Sequence, residues 1–355
     1  MIDFKILAIG DPHFKTSNIP DTDDFIKKIK NLAIVEKPNI IVILGDILHE
    51  HERLNTLPLN KAYEFIQEMS SITTTYILVG NHDLINNQQY LTENHWMNGL
   101  KEWKNVFIAD KVIEYELENG EFFLFCPYVP NGKFKDALNT YESKKWTSAK
   151  LIFAHQEFKG CKMGAIESID GDEWGEEYPY VISGHIHSNQ KLDNVYYPGS
   201  AMQNAFGDPN NIIPIIDFND SDEQFNIREV DLELRKKKLV YMNLDDVDSY
   251  QLKETEDDIK LTLTGNYDEF KTFRKSQKYK ELQEAGIKIV HKNKKIKNDD
   301  ENSHDVQIGS DNIDTDSSFV ELVYSMVFAE KNNVMTSDYN YLFRGGVKNE
   351  ELLVL

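Results

Sequence analysis

Gly80-Asn81-His82-Asp83 sets an amide oxygen beside an imidazole, directly after an apolar, β-rich run at 75–79. Glycine lets the backbone turn where such a run stops. The Asn81 oxygen can bind a metal as a neutral ligand. His82 beside it is placed to donate a proton rather than to bind. Alone, a turn of this kind is more commonly an ordinary surface loop. Four other stretches share its character: Asp11 with His13, Asp46 after Gly45, His155, and His185 with His187. The set is two aspartates, one asparagine and four histidines. Mixed nitrogen and oxygen donors suit Mn²⁺, Fe²⁺ or Zn²⁺ better than Ca²⁺. Seven donors exceed what one catalytic ion with an open position takes, but they fit two ions sharing a carboxylate. Two ions ~3.5–4 Å apart clamp a phosphate and acidify a water, so the chemistry expected is phosphoester hydrolysis.

Each of these stretches needs an element to deliver it. The apolar runs at 4–9, 40–44, 75–79, 150–154 and 180–182 read as strands that end at the candidate donors. Between the first three lie helical patterns at 23–35, with Phe25, Ile26, Ile29, Leu32 and Ala33 on one face, and at 59–69. Asp11 to Asp46 and Asp46 to Asn81 are both 35 residues, the length of one βαβ repeat. The loops then share one sheet edge, where α/β folds place their sites. Residues 106–115 and 121–127 read as a hairpin about Glu118-Asn119-Gly120. Further strands follow at 195–197, 212–218 and 225–232, and the strands after the first three are expected to be antiparallel. After the basic run 235–238 comes a β-α-β pattern: a strand at 259–264, a helix at 268–284 stopped by Gly286, and a strand at 287–291. Residues 292–298 are basic. Residues 299–316 are acidic and polar, which reads as a flexible linker. Beyond it, Phe319, Leu322, Val323, Met326 and Val327 line one helical face, and Ser337 or Asp338 caps a second short helix.

The chain has 355 residues, 40% of them hydrophobic, and a net charge of −21. That is enough for a substantial core, and it argues against a protein that simply coats nucleic acid. Cys126 and Cys161 read as core residues in a reducing compartment. No apolar run approaches the ~18 residues of a membrane span, and the N-terminus enters a strand at once. The expectation is a soluble intracellular protein, cytoplasmic or nuclear, with no membrane partner. The basic runs 235–238 and 292–297 are candidate phosphate contacts, although a solvated face is the commoner reason for such runs.

Taken in order, the blocks Asp-x-His, Gly-Asp, Gly-Asn-His-Asp, His and Gly-His-x-His resemble the calcineurin-like metallophosphoesterases over residues 11–187. The resemblance implies a mixed α and β, four-layer α/β-β/α sandwich of two facing mixed sheets. It also implies roles. Asp11, His13, Asp46 and His187 would hold one ion; Asp46, Asn81, His155 and His185 would hold the other, with Asp46 bridging. His82 would act on the leaving oxygen without binding metal. Mn²⁺ is the first expectation for the ions, with Mg²⁺, Fe²⁺ or Zn²⁺ as alternatives.

No Asp-Arg-Gly follows the second block, so the sequence departs from the protein Ser/Thr phosphatase branch. Gly45-Asp46-Ile47-Leu48-His49 is closer to the double-strand-break repair nucleases, the nuclease subunit of the SbcC–SbcD type and its archaeal, eukaryotic and phage counterparts. In archaeal and eukaryotic members a histidine at the place of His49 lines the active site, whereas bacterial and phage members often have Asp there. Pro127-Tyr128-Val129-Pro130, His155-Gln156-Glu157 and Tyr197-Pro198-Gly199-Ser200 also resemble that branch. Its layout implies a nuclease core at 1–235, a small β-α-β capping domain at 236–298, a linker at 299–316 and a C-terminal helical segment at 317–355. The last would bind an SMC-like ABC ATPase. The expected function is therefore a two-metal DNA exo/endonuclease of recombination and repair, with DNA and the ATPase as partners and a homodimer left open. A small-molecule phosphomonoesterase or phosphodiesterase uses the same ions and is the main alternative. A metal-free scaffold on this fold conflicts with the complete donor set.

Overall fold

Strands that are apolar at every position, rather than at alternate ones, must be covered on both faces. β2 (Ile40–Ile43) is of this kind, with all four residues buried, and so are the later parts of β1 (Asp3–Ile9), from Ile6, and of β3 (Thr74–Leu78), from Tyr76. Between them run α1 (Ile19–Glu36) and α2 (Thr56–Ile72). The chain continues with β4 (Val106–Ala109), β5 (Ile113–Glu116), β6 (Phe122–Cys126), α3 (Phe134–Leu138), β7 (Leu151–His155) and a two-residue pair, β8 (Lys162–Met163) and β9 (Ile166–Glu167). Then come β10 (Val181–Gly184), β11 (Gln190–Leu192), β12 (Val195–Tyr197), β13 (Ile213–Asn219) and β14 (Phe225–Val230). The structure is a computed structural model and describes residues 3–51, 53–208, 211–219, 225–252 and 255–293.

Two six-stranded sheets form the core, in the orders β14-β13-β1-β2-β3-β4 and β11-β12-β10-β7-β6-β5. β1 to β4 are mutually parallel, and β13 and β14 close that sheet antiparallel. Period-two alternation assigns the faces. In β1, Phe4, Ile6 and Ala8 join the layer between the sheets, while Leu7 and Ile9 pack outward with Phe25, Ile29, Phe65 and Met69 of α1 and α2. Phe125 of β6 stacks on Tyr76 of β3 at 4.2 Å and on Phe153 of β7 at 5.3 Å, which ties the two sheets together. The far face of the second sheet is covered by α3 and the loops carrying Phe158 and Trp174. This is the mixed α and β, four-layer sandwich expected.

Three expectations need correction. Residues 106–115 are not one strand. β4 pairs with β3 in the first sheet and β5 with β6 in the second, and the chain crosses between them around the buried Asp110. Nor are the later strands all antiparallel: β6, β7, β10 and β12 run parallel, with antiparallel partners only at the sheet's edges. The helix read at 268–284 is two, α4 (Tyr267–Phe273) and α5 (Gln277–Glu284), because Asn266 and Ser276 each cap a new start through a side-chain oxygen.

α4 and α5 belong to a separate three-stranded parallel sheet: β15 (Lys237–Asn243), β16 (Asp258–Gly265) and β17 (Lys288–Asn293). Leu244, Leu261, Leu263, Phe273, Leu282 and Ile287 form its own small core. The basic run entering β15 is spent on ion pairs: Lys236 with Asp231, Lys237 with Asp21, Lys238 with Asp257 and Arg235 with Asp258. The expected linker at 299–316, the C-terminal helical segment at 317–355 and the second basic run, but for its first two residues, lie outside the described residues. No helix among the described residues is long and apolar enough to cross a membrane.

Candidate metal centre

The loops after β1, β2, β3, β7 and β10 converge. Two of them are knitted by a short parallel bridge: the His13 and Phe14 amides donate to the Asp46 and Ile47 carbonyls, at 3.0 and 2.7 Å. All seven predicted donors are brought together, and Asp11, His13, Asp46, Asn81 and His155 are buried. The Asp46 Oδ2 atom lies 3.6 Å from His13 Nε2 and 3.4 Å from His155 Nε2. His13 Nε2 and His187 Nε2 face each other at 2.9 Å. On the other side, Asn81 Oδ1 lies 3.0 Å from His155 Nε2 and 2.9 Å from His185 Nδ1.

The backbone is bent to reach this arrangement. Asp11, His13, Asp46 and His185 all have positive φ, between 30° and 79°, a conformation that costs L-residues energy and collects at functional sites. Gly80 is required by close approach: a Cβ there would lie 2.2 Å from Asp46 Oδ1. At Gly45, whose φ is +102°, a Cβ would lie 2.6 Å from His155 Nδ1.

Hydrogen bonds fix which atoms face inward. His155 Nδ1 sits 2.6 Å from the Leu44 carbonyl, which can only accept, so Nδ1 carries the hydrogen and Nε2 is presented to Asp46 and Asn81. The Asn81 amide nitrogen donates to Asn87 Oδ1 at 3.3 Å and so turns its oxygen to the histidines. Asp46 Oδ1 accepts the His82 amide at 2.8 Å, leaving Oδ2 for the cluster. Asp11 Oδ1 accepts the His185 amide at 2.9 Å, whereas the buried Asp11 Oδ2 has no protein partner.

Burial and neighbours set the protonation of the group. Burial lowers His13, His185 and His187, His185 to about 3, so these rings are neutral, the form that binds metal. Burial would raise Asp46, but His155, His13 and His82 around it outweigh that and hold it well below the usual carboxylate range. For His155 burial works downward, and the Asp46 charge overcomes it, raising the ring to about 9. Asp11 is pushed up to about 7, by burial first, with His155 opposing. The raised values of Asp11 and His155 mark a concentration of buried donors. A buried carboxylate oxygen without a partner, imidazole nitrogens meeting head-on and an amide oxygen shared by two rings fit a pair of divalent cations. Asp11, His13, Asp46 and His187 would hold one, and Asp46, Asn81, His155 and His185 the other.

His82 adjoins the donors at His13, and ligand atoms of His13, His49 and His82, one from each, lie within 4.8 Å of one another. Its Nδ1 is 2.5 Å from the His49 carbonyl, so Nδ1 donates and Nε2 is the open nitrogen. Its ring lies 4.9 Å from His13, 5.7 Å from His49 and 4.2 Å from His51, stacked on the last two. His49 lies 5.3 Å from His13, and burial, then the Lys15 charge, lowers its pKa. A cavity of about 390 Å³ opens beside His82, walled by Leu54, Leu84, Ile85 and Trp96 and rimmed by Glu50 and Glu93.

Three supporting residues, Asp83, His51 and Trp96, escape sequence reasoning. Asp83 accepts the amides of Asp46 at 2.9 Å and Gly80 at 3.0 Å, and the Trp96 indole at 2.8 Å, which pins two donor loops together. The signal for Asp83 is its place in the Gly80-Asn81-His82-Asp83 stretch, and His51 stands just beyond His49. Trp96 carries no local signal.

Comparison with known proteins agrees with this geometry. The family pattern described as calcineurin-like phosphoesterase matches residues 4–189. The "Putative phosphoesterase 078R" of Invertebrate iridescent virus 3 is 44% identical over 295 residues, covering 81% of this chain and 84% of its own. The "Putative phosphoesterase 244L" of Invertebrate iridescent virus 6 is 45% identical over 279 residues, covering 77% of this chain and 98% of its own. Exonuclease subunit 1 of Enterobacteria phage T4 is 26% identical over 221 residues, covering 58% of this chain and 62% of its own.

Proposed function

The chain belongs to the calcineurin-like phosphoesterase family, and on that premise we propose that it is a divalent-metal-dependent phosphodiesterase acting on DNA as a nuclease. The observation that carries the phosphoesterase part is the gathering of the donors about Asp46, whose Oδ2 has His13 on one side and His155 on the other. Ions held there supply positive charge against phosphoryl oxygens and acidify water. The chain's own residues do the rest. Asp46 fixes the two halves of the site relative to each other. Asp83 and Gly80 hold Asp46 in its strained turn. His82, with Nδ1 anchored on the His49 carbonyl, keeps Nε2 free to protonate a leaving oxygen. His49, beside both His13 and His82, would orient the phosphoryl group between them.

The nucleic-acid part is supported by the likeness to the phage T4 exonuclease subunit, by His49 and by the segments around Tyr128 and Pro198. An SMC-like ATPase as partner, DNA repair as the setting and Mn²⁺ as the ion are part of the same proposal. One observation favours the second reading, a small-molecule diesterase: the cavity beside His82 has the acidic rim of Glu50 and Glu93, on a chain of net charge −21. A polyanion approaches such a rim at a cost.

The test is a direct comparison with Mn²⁺ of linear duplex DNA, single strands, a dye phosphodiester and a dye phosphomonoester. The nuclease reading expects the DNA substrates and the diester to be cleaved well above the monoester. Cleavage confined to the dye esters would move the assignment to the small-molecule reading.

A further inference from the structure

Lys15 follows directly on the bridge that knits the first two donor loops. The Phe14 carbonyl accepts the His49 amide at 3.1 Å, and Phe14 pairs with Leu48, so the chain delivers Lys15 beside His49 and two residues beyond His13. Its ammonium donates to the Asn204 carbonyl at 3.0 Å and joins no ion pair among the described residues. An ammonium has three donor hydrogens, and a carbonyl takes one of them. The neighbouring cations are neutralised: Lys237 by Asp21 at 2.9 Å and Lys238 by Asp257 at 2.5 Å. Asp208, the acid beside the Asn204 turn, gives Oδ2 to the amides of Asn204 and Ala205, at 2.7 Å each. On a chain of net charge −21, a lysine left without a carboxylate at the mouth of the donor cluster is placed for an anion from outside.

We propose that Lys15 forms an anion subsite on the rim of the centre, taking the phosphate that adjoins the scissile one in a polynucleotide strand; this rests on the nucleic-acid reading above. The scissile phosphate is met by the cluster itself. A lysine binds phosphate as a point charge and can meet the next phosphate along the strand. The subsite favours oligonucleotides over single-phosphate diesters without reading base identity.

The experiment compares wild type, Lys15→Met, Lys15→Gln and Lys15→Arg on a labelled single-stranded oligonucleotide and on the p-nitrophenyl ester of thymidine 5′-phosphate, both with Mn²⁺. Binding of the oligonucleotide without divalent ions is followed by fluorescence anisotropy against salt. Metal content and melting temperature control for folding. The ratio of kcat/KM for the oligonucleotide to that for the dye ester should fall about tenfold in Lys15→Met and Lys15→Gln, through KM, and recover in Lys15→Arg. The slope of log affinity against log salt should become shallower by about 0.7, one phosphate contact on a single strand. Variants that keep the wild-type ratio and slope overturn the subsite and leave the nuclease reading standing. Equal losses on both substrates also overturn it and make Lys15 a support for His49. Wild type that cleaves the dye ester but no oligonucleotide overturns the nucleic-acid reading and the subsite with it.

Discussion

Asp46 offers one oxygen to both halves of the donor cluster, 3.6 Å from His13 and 3.4 Å from His155, and the other to the His82 amide. Asp46→Ala should therefore remove both bound ions together, read as metal content by atomic spectroscopy, along with all hydrolysis. His82→Ser should keep both ions and lower kcat by about 10²–10⁴, the usual worth of a general acid; loss of metal in that variant would make His82 a ligand. The same residues set a pH dependence. Asp11 is raised from 3.8 to about 7 and His155 from 6.5 to about 9, while His13, His49, His185 and His187 are lowered; between pH 6.5 and 9, where those four rings are neutral in either state, the chelated folded protein binds more protons than the unfolded chain. Stability then falls as pH rises through that window. The His155 contribution is full below pH 6.5 and is lost through about 9. Asp46, depressed, acts only below the ordinary carboxylate range and does not oppose this. Melting temperature in chelator should drop from pH 7 to 9, and saturating Mn²⁺ should flatten the curve, because the ions take the place of the protons. A chelated protein that gains stability over this range would contradict the coupling of these groups.

At the scale of elements, the donors are legible because each sits where an apolar strand stops, and the 35-residue spacing puts three such stops on one edge. What supports them is less so. Asp83 matters through the amides of Asp46 and Gly80, one of them 37 residues away, and Trp96 through Asp83; neither link has a local signature. The run 106–115 reads as one strand because apolar residues resume at Val112 and Ile113, although the charged pair Asp110 and Lys111 stands where the chain changes sheets. The parallel pairing of β6, β7, β10 and β12 depends on partners that no local pattern names. Glycines give a sharp test. Gly120, with φ +83° and nothing within 4 Å of where a Cβ would stand, should accept Ala for about 1 kcal/mol, the cost of a left-handed L-residue. Gly80→Ala, whose Cβ would strike Asp46 Oδ1, should abolish metal uptake, measured by calorimetric titration with Mn²⁺. Equal behaviour of the two variants would mean that the Gly80 approach is not what shapes the site.

For the whole molecule, the catalytic core and the small parallel sheet that follows it are described, and the expected ATPase-binding segment lies beyond them. Its stripe of Phe319, Leu322, Val323, Met326 and Val327 follows a polar, acidic stretch with little to bury, and we propose it as a binding face. Truncation after Asn298 should keep metal binding and dye-diester hydrolysis and abolish association with an SMC-like ATPase, read by co-purification. A truncated chain that unfolds would place that helix in the core instead. Domain borders near residues 235 and 298 are part of the same proposal, and limited proteolysis should cut near them first. The proposed hydrolysis depends on the metal centre. The most direct measurement is anomalous scattering from crystals of the full chain grown with Mn²⁺. Two peaks bridged by Asp46, with His13 and His187 on one and Asn81, His155 and His185 on the other, are predicted. A single ion, or ions held by other residues, would contradict the account.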